Sequence, residues 1–169
     1  MPYFLEEQRF RQFWIYLLLA IPVVIMWWGF LEQIMPGRPW GDQPAPDWVV
    51  ILMWLLFGIG LPGFFWMLRM NTRVDGSGVE VRWSPIKSGV TVAYIEIERH
   101  ESITYRPIRE FGGWGVRWGG KHRRAYNVSG DRGVELFLTD GRSIVVGSER
   151  SDELANAIAV GVAEAATGR

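Results

Sequence analysis

Residues 48–68 read WVVILMWLLFGIGLPGFFWML, a run of 21 positions with no charged side chain. At about 1.5 Å of rise per residue, such a run spans about 30 Å as a helix, the thickness of a bilayer's hydrocarbon core. The stretch therefore predicts a transmembrane span. It divides the chain: the residues after it hang on one side of a membrane, and those before it must bring the chain to that point.

Working outward from that span towards the start, residues 35–47, MPGRPWGDQPAPD, place four Pro and two Gly in 13 positions. That composition excludes helix and predicts a tight connection between antiparallel spans, with Trp40 and Trp48 anchoring at the interface. Residues 13–31, FWIYLLLAIPVVIMWWGFL, are again uncharged. A cleaved signal peptide has a net positive start, a shorter apolar run and a small-x-small cleavage site. None of the three is present, so the segment reads as a retained first span, bent at Pro22, which lacks an amide hydrogen. The opening MPYFLEEQRFRQ mixes Glu6, Glu7, Arg9 and Arg11 with Tyr3, Phe4 and Phe10. It predicts a short helix at the boundary of water and lipid. Arg9 and Arg11 precede the first span, Arg38 alone lies between the spans, and Arg69, Arg73 and Arg82 come after the second. By the positive-inside tendency both termini face the cytoplasm.

The composition changes sharply after the second span. Residues 1–70 hold seven of the ten Trp but only nine of the 36 acidic and basic residues. Residues 71–169 carry 14 Lys and Arg against 13 Asp and Glu, so no net field argues for nucleic acid. The lack of cysteine removes disulfides, thiolate nucleophiles and Cys-ligated metals, and is compatible with a cytoplasmic domain.

In this second part the period becomes two. Val79, Val81 and Trp83 alternate with Glu80 and Arg82, and the Asp75-Gly76 turn makes RVDGSGVEVRW a hairpin. Strand continues from Val90, with a short turn near Tyr94, to Tyr105, where Pro107 halts it. The segment YRPIREFGGWGVRWGG, with five Gly, predicts backbone bends beneath an aromatic ring. Next come a basic strand, KHRRAYNV, a turn at SGDRG and a hairpin through Asp140-Gly141. Ser151 is placed to cap a final helix with Asp152 and Glu153 in its first turn and Leu154, Ile158, Val162 and Ala165 on one stripe. About seven or eight short strands and one amphipathic helix predict a curved sheet or partly open barrel plugged by the helix.

Two spans and then a strand-rich domain with YRPIREFGGWGVR, SGDRGVELFLTDGRSIVVGS and a terminal SDELANAI helix resemble the small bacterial membrane proteins with a pleckstrin-homology-like domain. The resemblance implies an α+β membrane protein. Residues 1–70 would form an N-terminal two-helix transmembrane hairpin, and 71–169 a partly open antiparallel β-barrel capped by a C-terminal α-helix. It implies binding and scaffolding rather than catalysis, at the bacterial cytoplasmic membrane. Partners would be the lipid bilayer and either a second copy of the chain or another membrane protein. No cofactor is implied. The usual inositol-lipid site at the first hairpin does not carry over, because its tip is Asp75, Gly76, Ser77 and Gly78, with only Arg73 and Arg82 in reach.

Two groups of residues remain as candidate sites. Arg117, Lys121, Arg123 and Arg124 place four cations in eight residues. Turned to a bilayer, each would contribute about 1 kcal/mol of attraction to anionic head groups; the alternative is a solvated strand partnered by neighbouring acids. In the second span Gly58, Gly60 and Gly63 bracket Pro62, a face for close helix packing, within the hairpin or against a partner. His100 and His122 have no ligand at the spacing of a metal motif, and Glu96 and Glu98 fall on an exposed strand face. Gly112, Gly113 and Gly115 lack the spacing and the adjoining helix of a phosphate loop, and no Gly-x-Ser-x-Gly or Ser-x-x-Lys motif offers a nucleophile.

Overall fold

The computed structural model describes residues 2–168. The chain falls into two compact units, one made of residues 10–68 and the other of residues 1–9 with 69–169.

The first unit is a helical hairpin. Helix α1 runs Phe13–Gln33 and α2 runs Asp47–Met67, each 21 residues long and of high mean hydropathy. Two helices long and apolar enough to cross a membrane are therefore present. They meet through aromatic rings: Phe30 stacks on Trp54 at 4.1 Å, and Trp27 meets Trp54 edge-on at 5.2 Å. At the loop end, Gln33 donates to the Asp47 carboxylate at 2.7 Å and to the Ala45 carbonyl at 2.8 Å. The middle of α2, Trp54–Gly60, widens into π-helical geometry. Pro62 accounts for part of this, since without an amide hydrogen it cannot close the α-helical bond to the Gly58 carbonyl. That carbonyl accepts a hydrogen bond from the Trp27 indole N–H instead, at 3.2 Å.

The second unit contains nine strands among the described residues, in two sheets. Strands β1 (Phe4–Arg9), β2 (Arg69–Asp75), β3 (Gly78–Ser84) and β4 (Ser88–Val92) form an antiparallel sheet in that order. The second sheet holds β5 (Ile97–Thr104), β6 (Gly115–Trp118), β7 (Arg123–Asn127), β8 (Arg132–Leu138) and β9 (Ser143–Gly147) in the order β5-β8-β9-β7-β6. A single turn of 3₁₀ helix, Tyr94–Glu96, leads from the first sheet into the second. A short helix α3, Pro107–Phe111, lies between β5 and β6, and α4, Ser151–Thr167, closes the chain.

The α+β class and the C-terminal helix stand as expected; where the sequence predicts a partly open barrel, the strands form two sheets that do not close into a barrel. The pairing is also not wholly antiparallel, because β7 runs parallel to β9. The first nine residues differ most from expectation: the predicted boundary helix is strand β1, paired along the edge of β2 from Phe4↔Val74 to Arg9↔Arg69. Alternation explains it, since Phe4 and Gln8 point inward, where Gln8 donates to the Gly147 carbonyl at 2.8 Å. Helix α4 begins at Ser151, with Arg150 rather than Ser151 at the capping position and no side-chain cap.

The interior is set by strand parity. Met70, Val74, Val79 and Val81 of one sheet and Val134, Leu136 and Val146 of the other are almost wholly buried. Leu154 and Ile158 of α4 join them, and α4 packs against strands of both sheets. The second sheet is covered on its other face too. There Tyr105, Phe111, Ala125 and Val145 form a small cluster, with Phe111 supplied by α3. Helix α3 ends at Gly112 in left-handed conformation (φ 72°), as a tight exit requires.

Candidate functional site

The basic run lies on β6, β7 and the loop between them, and the pleat of β7 decides what its cations can do. Successive side chains of a strand point to opposite faces. Arg123 and Ala125 therefore share the face covered by Phe111, while Arg124 and Tyr126 share the other.

On the first face, Arg123 is held by acids. Its Nε and Nη2 donate to the two oxygens of Glu135 on β8, both at 2.8 Å, and its Nη1 to Glu110 of α3 at 2.6 Å. Glu135 is buried and also accepts from the Ser143 hydroxyl at 2.7 Å. Phe111 sits 4.9 Å from the guanidinium carbon. Burial alone would lower the Arg123 pKa, but the bonds and charges of Glu135 and Glu110 outweigh it, and the group is held above its ordinary value. This is a clamp between β7, β8 and α3, buried at Glu135 and partly open to solvent at Arg123 and Glu110.

On the second face, the Arg124 guanidinium lies 4.7 Å from the Trp118 ring and 4.9 Å from the Tyr126 ring. Trp118 comes there by register, since it pairs with Arg124 across β6 and β7. Lys121 is exposed in the connecting loop. Arg117 is exposed on β6, its Nε donating to the Trp114 carbonyl at 3.0 Å. The four candidate cations thus occupy two faces and a loop instead of one line.

The glycine patch of α2 is divided in a similar way. Gly58 is buried, and a Cβ there would lie 2.8 Å from the Trp54 ring. It packs inside the hairpin. Gly60 and Gly63 are exposed and Pro62 half-buried, and a Cβ at Gly63 would meet nothing within 4 Å.

A family model described as a family of unknown function, DUF6141, matches residues 3–165. The chain belongs to the DUF6141 family. The matched residues of this DUF6141 member take in both apolar helices, both sheets and most of α4. No curated protein and no solved structure matches the chain.

Among the described residues of this DUF6141 member, no group of three His, Asp or Glu side chains is placed to hold a metal ion. At the first hairpin, Asp75 accepts from the Ser77 hydroxyl at 2.6 Å and amide at 2.9 Å, and from Arg73 at 2.7 Å. Those bonds, the Ser77 hydroxyl's first, hold its carboxyl below the usual carboxylate range. Glu110, Glu135 and Tyr126 do not stand out in the sequence. Applying the two-residue period to RRAYN separates Arg123 from Arg124, but the acids facing Arg123 come from elements distant in sequence.

Glu110 yields a pH prediction. The Arg106 backbone amide, 2.7 Å from its carboxylate, lowers its pKa most, and Arg123 lowers it further. A carboxyl depressed in the folded state contributes stability above its unfolded value, about 4.3, and loses it as pH falls through the lower folded value. Thermal unfolding of the full chain in detergent, monitored by circular dichroism, should therefore fall more steeply below about pH 4.3 for the wild type than for Glu110→Gln. Parallel profiles would show that Glu110 is not coupled to folding.

Proposed function

We propose that the chain is a non-enzymatic, membrane-anchored interaction module. A two-span hairpin with both termini in the cytoplasm would hold a pleckstrin-homology-like domain at the bacterial cytoplasmic membrane, where it self-associates or binds membrane-protein partners.

The observation that carries this reading is the exposure of the two apolar helices. Only 6% of the most apolar window of α1 and 11% of that of α2 is buried within the chain. A core helix of a water-soluble protein hides its apolar side chains, and a monomer rarely leaves so large an apolar surface in water. Lipid, with or without a second protein, is the cover that suits helices of this length. Two sheets with a terminal helix against both support the pleckstrin-homology-like reading of the other unit. Its charged side chains are largely engaged with one another, as at Arg123, Arg132 and Arg150, which supports a scaffold over a catalyst. Strands β4 and β6 end their sheets, and an open edge can pair with another chain.

The test is the state of the intact chain extracted from native membranes in mild detergent. A mass above the monomer, or a co-purifying membrane protein, is expected; a bare monomer counts against the proposal. Gly63→Leu tests the intramembrane part. It should weaken assembly while leaving the circular dichroism of the chain unchanged, because the added side chain projects into open space.

A further inference from the structure

The four-stranded sheet has two ends of different character, and its register shows which of them leads into the apolar helices. Arg9, Arg69 and Ser84 pair in one row across β1, β2 and β3. Residues 10–12 alone separate Arg9 from α1, and Leu68 alone separates α2 from Arg69. Chain extends by no more than about 3.5 Å per residue, so this row stays within about 15 Å of both helix ends whatever angle the helices take. The turn from β3 to β4, Pro85-Ile86-Lys87, follows Ser84 directly and stands just beyond the same row. The Asp75–Gly78 turn closes the opposite end, about 20 Å away along β2.

Charge and hydropathy divide in the same way. Parity puts Arg9, Arg69 and Arg82 on the outer face at the helix end, because Met70 and Trp83 between them point inward. Glu7 answers Arg9 and Arg69, at 2.7 and 3.2 Å, and Glu80 answers Arg82. Lys87 forms no ion pair among the described residues. The far end instead gathers Asp75, Glu96 and Glu164 around Tyr3 and Tyr94. Its turn carries no apolar side chain, whereas Ile86 is 56% exposed, with Pro85 exposed beside it. A lone exposed isoleucine is ordinary on a protein surface. This one heads the end from which the chain enters the apolar helices, with cations around it, which is the pattern of a segment that binds at a lipid interface.

We propose that the β3–β4 turn is a further point of attachment to the membrane: Ile86 enters the head-group region of an anionic leaflet, and Lys87 and Arg82 face lipid phosphates. This contact rests on the membrane-anchored reading above, since it exists only where the apolar helices span a bilayer. It also has a mechanical consequence. The two chain links sit on neighbouring strands about 4.8 Å apart and act nearly as one pivot. A contact at the β3–β4 turn lengthens the line of attachment across the sheet and limits how far the sheet can swing in its own plane.

The chain has no cysteine, so a single introduced one takes a single fluorescent label. Ile86→Cys, Ser77→Cys in the opposite turn and Leu17→Cys, exposed on α1, are labelled in the full chain and placed in discs of phosphatidylglycerol and phosphatidylcholine. Some discs also contain lipid carrying a nitroxide on the upper acyl chain. Lipid quenching at Ile86→Cys about twofold or more above that at Ser77→Cys is expected, reduced by Lys87→Glu and by added salt. Strong quenching at Leu17→Cys, with Ile86→Cys no more quenched than Ser77→Cys, would overturn the contact and leave the membrane reading standing. Absence of quenching at Leu17→Cys would overturn both. A label at Ile86→Cys reached by neither the nitroxide nor aqueous iodide would mean that protein covers the turn, which equally overturns a lipid contact. Ile86 lies outside the core, so its replacement leaves the fold intact and the result readable.

Discussion

Leu154→Ala is expected to destabilise the sheet unit by about 2–5 kcal/mol, among the largest effects any single truncation in this chain should have. Leu154 is wholly buried near the start of α4, one turn before Ile158, which is equally buried. The helix packs against β1, β2 and β3 of one sheet and β5 and β8 of the other, so the lost methyl groups leave a void at the junction of both. A void costs more where its walls cannot move in. Here the walls are hydrogen-bonded strands, and the helix is held further along by Gly161, which lies so close under the Tyr94 ring that a Cβ would overlap it. The Tyr94 hydroxyl in turn donates to the Asp75 carbonyl at 2.6 Å, so that ring cannot retreat without losing its bond. Val160→Ala, on the exposed face of the same helix, should change stability by no more than about 0.5 kcal/mol. Denaturant or thermal unfolding of both variants checks the pair. Equal small losses would mean that α4 lies loosely on the sheets.

The stripe that identifies Leu154 is legible in the sequence because it is local. So are the two apolar helices, which declare themselves by length and lack of charge, and the Asp75-Gly76 and Asp140-Gly141 hairpins, whose turn residues sit between alternating strands. What escapes is non-local or too short to have a period. Strand β1 offers only Phe4 and Gln8 as its buried positions, and nothing in FLEEQR reveals that the edge of β2, some 60 residues later, is its partner. Helix α3 is a single turn of five residues, and Pro107, read as the end of a strand, stands at the start of that helix, where a missing amide hydrogen costs nothing. The parallel pairing of β7 with β9 places Arg123 beside Ser143, and Glu135 on β8 is brought there through β9. Four cations that stand in line in the sequence become a clamp at Arg123, a guanidinium packed on the Trp118 and Tyr126 rings at Arg124, and two exposed charges at Arg117 and Lys121. The difference lies partly in strand parity, which RRAYN displays, and partly in sheet order, which it does not.

Glu135→Ala should cost about 2–3 kcal/mol, and the reason is the charge left behind rather than the bonds removed. Breaking a fully buried ion pair by deleting one partner typically costs about 3–5 kcal/mol, because the survivor stays desolvated and uncompensated. Two facts reduce the figure here: the Arg123 side chain is 29% exposed, and Glu110 still faces it at 2.6 Å. Glu135→Ala also strands the Ser143 hydroxyl, which donates to the same carboxylate. Replacing both partners by apolar residues, as in Arg123→Met with Glu135→Leu, removes the stranded charge and should recover most of the loss, since apolar replacement of a buried pair is often neutral or better. The unfolding free energies of Arg123→Met, Glu135→Leu and the double form a cycle with the wild type, with an expected coupling of about 1.5–3 kcal/mol. A coupling near zero would mean that Arg123 is free to turn outwards. Arg123 would then join Arg117 and Lys121 on the surface, and the basic strand would regain the charge that an anionic bilayer could read. A large coupling keeps Arg123 in the clamp, and leaves Arg124, one residue on and facing the opposite way, packed against the Trp118 and Tyr126 rings.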